Sequence, residues 1–266
     1  MKQKAYVLLS TDHGSMIVNR FDYHTNDGKN SFGVGSQLLG KGSYDAGEIL
    51  FLKNILNALV NDRGSGITVL DCGANIGVHT IEFAKSLDGH GSVVSIEAQR
   101  QVYYALCGNI AINNCFNVYA IHGAVGDVAE TISIPQPNYF MPSSFGSMEL
   151  KQSENSEYIG QTLEKTEGVQ QMTLDSLSLD GLALLKIDVE GMELEVLAGA
   201  ERLISNTRPV MWVEWLKVDR LKLKLQLESW GYKVWMAGMN YLAIHIEDNL
   251  IDRVSEADGK ITFSGQ

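Results

Sequence analysis

The chain has 266 residues, 45% hydrophobic and 20% charged, and its 21 Lys and Arg against 32 Asp and Glu give a net charge of −11. That length buries a sizeable core in one or two domains, and such an acid excess argues against a main role in gripping phosphate backbones or anionic membranes. Cys72, Cys107 and Cys115 lack C-x-x-C spacing, and no signal-peptide core or membrane-length apolar run is visible, so the chain reads as a soluble cytoplasmic protein without zinc or disulfides.

Residues 1–45 read as an extension. Lys4–Thr11 and Ser15–Tyr23 are β-prone runs around Asp12-His13-Gly14, which predicts a hairpin whose edge is a candidate homodimer contact. Asn26–Gly42, rich in Gly, Ser and Asn, reads as loop. From Ala46 the pattern changes period: Ile49, Leu52, Leu56, Leu59 and Val60 recur at three- and four-residue steps, a helix ending near Gly64.

Alternation then sets in, with strand Ile67–Asp71, helix Gly77–Leu87, strand Ser92–Glu97, helix Gln101–Asn113 and strand Asn117–His122. The polar stretch 135–168 interrupts it and is longer than the ~15 residues usual for a loop inside a compact domain. Two readings stand, a surface insertion or a lid over an acceptor; Tyr139, Phe140, Met141 and Phe145, aromatic or apolar side chains that a purely solvated loop would not need, are the ground for the lid. Next come strand Leu182–Asp188, helix Met192–Ser205, strand Pro209–Trp215 and helix Asp219–Trp230. A hairpin of Tyr232–Met236 with Tyr241–Ile246 closes a domain spanning 46–250, and 251–266 reads as a polar tail. The expected class is α/β, a mostly parallel sheet with helices on both faces and an antiparallel C-terminal hairpin.

The richest motif runs from Val69 to Thr80. A strand ends at Asp71, the chain turns through Gly73-Ala74-Asn75-Ile76-Gly77, and a helix begins. Glycines there let a ligand approach the backbone, and the helix start offers free N–H groups. A dinucleotide fingerprint, G-x-G-x-x-G, leaves room for a pyrophosphate at its second glycine. Here Asn75 occupies that room and Asp71 would repel a diphosphate, which disfavours a nicotinamide-dependent reductase. S-adenosylmethionine carries no phosphate, and Asp71 suits its ammonium or sulfonium, directly or through water. Glu97 ends the next strand 24 residues after Gly73, close to the ~20 expected of an acid that chelates a ribose diol. Ala98, Ala124 and Val125 follow neighbouring strands, the latter two as an adenine wall. His79 and Thr80, on the first helical turn, complete the cofactor set, with a structural role as the alternative for His79.

The residues of Val69–Gly77, Leu185–Ala200 and Pro209–Glu214, with the lead-in Thr173–Leu177, resemble the FkbM-type family of S-adenosylmethionine-dependent methyltransferases. The likeness spans roughly Tyr44 to Trp215, and the combination of G-x-N-x-G with Lys186-Ile187-Asp188-Val189-Glu190-Gly191 carries it. One departure is Glu97-Ala98-Gln99, where members often have Glu-Pro. The resemblance implies a class I, Rossmann-like seven-stranded fold and methyl transfer to an oxygen, commonly a hydroxyl of a sugar or polyketide.

Asp188 ends an apolar strand, Glu190 follows in the turn and Glu214 ends the next strand, so three carboxylates are expected in one crevice. In-line methyl transfer requires the acceptor to be oriented and its proton taken. Asp188 is the candidate for that, with a further contact to the cofactor, and Glu190 or Glu214 is its partner. The same oxygens suit Mg²⁺ against a diol, but no spacing demands it, and the site is read as metal-free. The expected acceptor is a small molecule or glycan, with no nucleic-acid or membrane partner. The alternative is a non-catalytic S-adenosylmethionine- or nucleoside-binding module with a regulatory or interaction role.

Overall fold

The computed structural model describes residues 4–25 and 31–264. The N-terminal run forms the expected hairpin, with β1 (Tyr6–Thr11) antiparallel to β2 (Gly14–Asn19), followed by a short pair β3 (His24–Thr25) and β4 (Ser31–Phe32). Residues 26–42 were expected as loop; 26–30 lie outside the described residues, and 34–41 are instead helix α1 (Val34–Lys41). Its first turn is seeded by buried Asp22, whose Oδ2 accepts the Gly35 N–H at 2.8 Å, and Val34 and Leu38 bury one face. Composition hid this helix because glycines punctuate it.

The α/β rhythm follows as read: α2 (Ala46–Arg63), β5 (Ile67–Cys72), α3 (Val78–Ser86), β6 (Gly91–Glu97), α4 (Arg100–Ile112) and β7 (Val118–His122). Then β8 (Ala124–Val125), β9 (Glu130–Pro135) and β10 (Thr166–Met172) make a three-stranded sheet ordered β8-β10-β9, and the loop 136–165 leaves from it. The second half comprises β11 (Leu182–Ile187), α5 (Glu193–Ala198), α6 (Glu201–Thr207), β12 (Val210–Glu214), α7 (Arg220–Ser229), β13 (Tyr232–Ala237) and β14 (Asn240–His245).

The main sheet has the order β13-β14-β12-β11-β5-β6-β7. β7, β6, β5, β11 and β12 are parallel, and β14 runs antiparallel to both its neighbours. This is a seven-stranded, mostly parallel sheet with an antiparallel C-terminal hairpin, as expected from the sequence. Every residue of β5 and β11 is buried, as expected of central strands covered on both faces. The chain moves outward from β5 to β7 and then returns to the other side of β5, so a crevice opens between the carboxyl ends of β5 and β11.

Two further places show what local pattern did not specify. The single helix 192–205 is broken into α5 and α6, because Gly199 is drawn against another segment. A Cβ there would sit 2.0 Å from the Gly126 carbonyl oxygen, and the Gly199 carbonyl accepts the Asp175 N–H at 2.8 Å. The polar stretch after 250 carries structure over its described residues: β15 (Val254–Ala257) and β16 (Lys260–Phe263) pair antiparallel, and Phe263 packs on Phe51 of α2 with ring centroids 6.3 Å apart. No described helix is long and apolar enough to cross a membrane.

Candidate functional site

A cavity of about 400 Å³ opens at the carboxyl ends of β5, β6, β11 and β12. Its floor is the β5–α3 loop. Gly73 has φ +76, and a Cβ there would lie 1.7 Å from the Asp188 carbonyl oxygen, so only glycine lets this loop cross so close to the end of β11. Asn75 is also left-handed, at φ 51, and its Oδ1 accepts the Ile76 N–H at 2.7 Å. This is the local side-chain bond that lets asparagine adopt a conformation most residues avoid.

Glu97 closes the other side of the loop. Its Oε2 accepts the Asn75 N–H at 2.9 Å and its Oε1 the Gln99 N–H at 2.7 Å. Each oxygen keeps a second lone pair, and the residue lines the cavity. Burial pushes its carboxyl up to about 7, opposed by those two backbone N–H groups and helped by Asp71 and Asp188. Ala74, Ala98, Ala124 and Val125 line the same cavity. Gly77, by contrast, starts α3 and packs on Leu106, and does not line it.

Asp71 is placed differently from its sequence reading. It is fully buried and does not line the cavity. Its Oδ2 accepts the Thr80 hydroxyl at 2.7 Å, and its Oδ1 lies 3.3 Å from Lys186 Nζ. A direct contact with a ligand ammonium or sulfonium is therefore not available to it. Thr80 likewise points inward, 2.8 Å from Ser95 Oγ. His79 does line the cavity, with Nε2 3.1 Å from Glu48 Oε1. Glu48 also accepts from Trp212 Nε1 and Asn240 Nδ2, each at 3.1 Å. Burial works to raise its carboxyl, yet His79, Lys186 and Trp212 bring it below the usual range.

The three carboxylates converge. One oxygen from each of Asp188, Glu190 and Glu214 lies within 4.8 Å of the others. Lys186 Nζ sits 3.3 Å from Asp188 Oδ2, and Lys217 Nζ sits 2.7 Å from Glu190 Oε2. Burial first, then the charge of Asp188, pushes Glu190 up against the pull of Lys217, and the same two causes raise Glu214. Glu214 Oε2 is a buried oxygen with no hydrogen-bond partner among the described residues. Burial works against the charge on Lys186, but Asp188, Asp71 and Glu48 outweigh it and hold the lysine protonated. Two ammonium groups thus balance the cluster from within the chain. Hard oxygens at this spacing also suit a divalent cation.

Several residues of the site were not singled out from sequence. Lys186 stands inside the motif itself, and a lysine in an otherwise apolar strand signals buried partners. Glu193, nearly fully buried, accepts the Val189 and Gly191 N–H groups and so shapes the turn that carries Glu190; burial pushes it up to about 7. Tyr44 and Glu157 reach the cavity from α2's lead-in and the 136–165 loop, and no local pattern marks these two; Ser144, Gly146 and Ser147 line it as well.

A family model described as the methyltransferase FkbM domain matches residues 71–234, more than half of the chain. Among solved structures, a methyltransferase FkbM from Methylobacillus flagellatus KT is similar at 18% identity and a TM-score of 0.49, over 68% of this chain and 44% of that one. A precorrin-6y C5,15-methyltransferase from Geobacter metallireducens GS-15 is similar at 14% identity and a TM-score of 0.42, over 73% and 85%. The bifunctional kinase-methyltransferase WbdD follows at 12% and 0.49, over 87% and 45%. The chain thus spans less than half the length of the Methylobacillus protein. No curated protein matches it.

Proposed function

We propose, from the premise that this chain belongs to the FkbM methyltransferase family, that it is an S-adenosylmethionine-dependent O-methyltransferase acting on a hydroxyl of a small-molecule or glycan acceptor. The observation that carries the reading is the juxtaposition at the end of β11. The Gly73 loop and Glu97 form one end of the cavity, and Asp188, Glu190 and Glu214 form the other. Bound S-adenosylmethionine would supply a methyl group on a sulfonium, an electrophile that needs only an oriented acceptor in line with it.

The chain's residues divide the work accordingly. Glu97 offers its free lone pairs to the ribose hydroxyls, while Ala124 and Val125 wall the adenine. Asp188 holds the acceptor hydroxyl and would take its proton on a carboxylate oxygen as the methyl carbon exchanges its bond to sulfur for one to the hydroxyl oxygen, with adenosylhomocysteine as the leaving group. Lys186 fixes that carboxylate by its 3.3 Å contact. Glu190 and Glu214 crowd Asp188, and burial first, then the charge of Asp188 beside them, makes both reluctant to ionise. Asp71 supports the site from beneath through Lys186 and does not touch the ligand.

The test is transfer of labelled methyl from S-adenosylmethionine to a panel of sugar and polyketide alcohols, with Asp188→Asn as the diagnostic variant. Turnover should fall at least about a hundredfold, the scale of a lost general base, while adenosylhomocysteine affinity stays within a few-fold. Unchanged turnover would remove Asp188 from the mechanism. Transfer that survives exhaustive chelation disposes of a metal at the three carboxylates. Cofactor binding without transfer to any acceptor would favour a binding module.

A further inference from the structure

We propose that Lys217 is a positioning residue that clamps the 136–165 insertion onto the turn carrying Glu190, and so fixes the acceptor-side wall of the cavity. The assignment of that wall to the acceptor rests on the function proposed above; the clamp itself rests on geometry. Lys217 follows β12, and its side chain is largely buried, with 14% exposed. Its ammonium makes three contacts, to Glu190 Oε2 at 2.7 Å, to Glu157 Oε2 at 3.1 Å and to the Ser147 carbonyl at 2.6 Å.

An ammonium has three hydrogens to donate, and here each has a partner within the chain. Lys217 therefore has none left for a ligand, although it lines the cavity. Its partners come from two separate segments: Glu190 from the β11–α5 turn, and Ser147 and Glu157 from the insertion. The group stays charged because Glu190 and Glu157 outweigh the burial that works against it.

The short turn Phe145–Ser147 is gripped at both ends. Phe145 donates its N–H to buried Asp22 Oδ1 at 3.0 Å, and its carbonyl accepts from Gln99 Nε2 at 2.8 Å. Its ring is buried against Tyr139, with centroids 4.8 Å apart. Between the grips, Gly146 lies against the cofactor loop, where a Cβ would come within 2.6 Å of Asn75 Nδ2. Asp22 and Gln99 thus hold the turn on the side of the N-terminal extension, and Lys217 holds it on the side of the carboxylates. Without Lys217, Ser147 and Glu157 lose their tie to the catalytic turn.

The experiment is hydrogen exchange on the full chain, read by mass spectrometry, for Lys217→Met, Lys217→Arg and Glu157→Gln, with adenosylhomocysteine titrated into each. In Lys217→Met, amides of 146–158 should exchange about tenfold faster while β5 and β6 are unchanged. Adenosylhomocysteine affinity should stay within about threefold, since none of its proposed contacts is removed. Lys217→Arg should restore most of the protection, because a guanidinium also donates to several acceptors, and Glu157→Gln should give a smaller loosening.

Unchanged exchange in Lys217→Met overturns the clamp, as does an arginine variant as loose as the methionine one. Should Lys217→Met also loosen β5 and β6, Glu157→Gln decides: faster exchange at 146–158 supports the clamp, and no change overturns it. Loosening in a chain that binds no adenosylhomocysteine would sink the proposed function and leave the clamp standing. Intact binding with unchanged exchange would do the reverse.

Discussion

Lys186→Met is the perturbation whose cost can be worked most directly from the structure. Lys186 Nζ lies 3.3 Å from both Asp71 and Asp188. Asp188 reaches solvent, with 36% of its side chain exposed, so it can rehydrate when the lysine is lost. Asp71 cannot, because it is fully buried and its Oδ1 has no hydrogen-bond partner among the described residues. Removing one partner of a buried pair costs about 3–5 kcal/mol, since the other charge is left uncompensated. For a chain of this size that lowers the melting temperature by roughly 10 °C.

Asp71→Asn in the same chain removes the stranded charge and should recover at least half of the loss. The assay is urea unfolding of wild type, both single variants and the double variant, read as a thermodynamic cycle. A Lys186→Met loss below about 1 kcal/mol, far under the cost of stranding a buried charge, would refute the reasoning. So would a double variant no more stable than Lys186→Met.

Two other predictions follow from the same geometry. Gly73→Ala combines a left-handed alanine, about 1–2 kcal/mol, with a Cβ forced onto the Asp188 carbonyl, so thermal unfolding should show it destabilised by at least about 3 kcal/mol once overpacking is added; melting within a degree or two of wild type would contradict that. Burial raises Asp22 to about 6 and Glu97 and Glu193 to about 7. Acids raised on folding bind more protons in the native state, so their contribution is full below their ordinary values and is lost as pH rises through the raised ones. The melting temperature of the ligand-free chain should therefore fall between about pH 5 and pH 7, with Glu193→Gln flattening the slope, whereas a rise across that window would contradict the account.

Local periodicity was enough to read the alternating strands and helices, because β5, β6, β11 and β12 are short apolar runs bounded by polar turns. The carboxylate cluster was legible for a related reason: each acid directly ends or follows a buried strand, and strand ends in such sheets face one crevice. What escaped the sequence depends on distant partners. Helix α1 forms on Asp22, thirteen residues before Gly35. The break at Gly199 is imposed by Gly126, and the role of Lys217 depends on Ser147 and Glu157. Asp71 shows the opposite case: a carboxylate beside the glycine loop suggested a ligand contact, direct or through water, and the direct one is closed because Asp71 is buried opposite Lys186 in the strand register.

The central claim is that the cavity between Gly73, Glu97 and Asp188 holds an adenosyl-sulfonium cofactor. Isothermal titration of the folded chain with adenosylhomocysteine tests it most directly. One molecule should bind per chain, with affinity reduced at least about tenfold in Glu97→Ala, which deletes the proposed ribose contact. A flat titration with folded protein, or saturable binding of NADH in its place, would contradict the account.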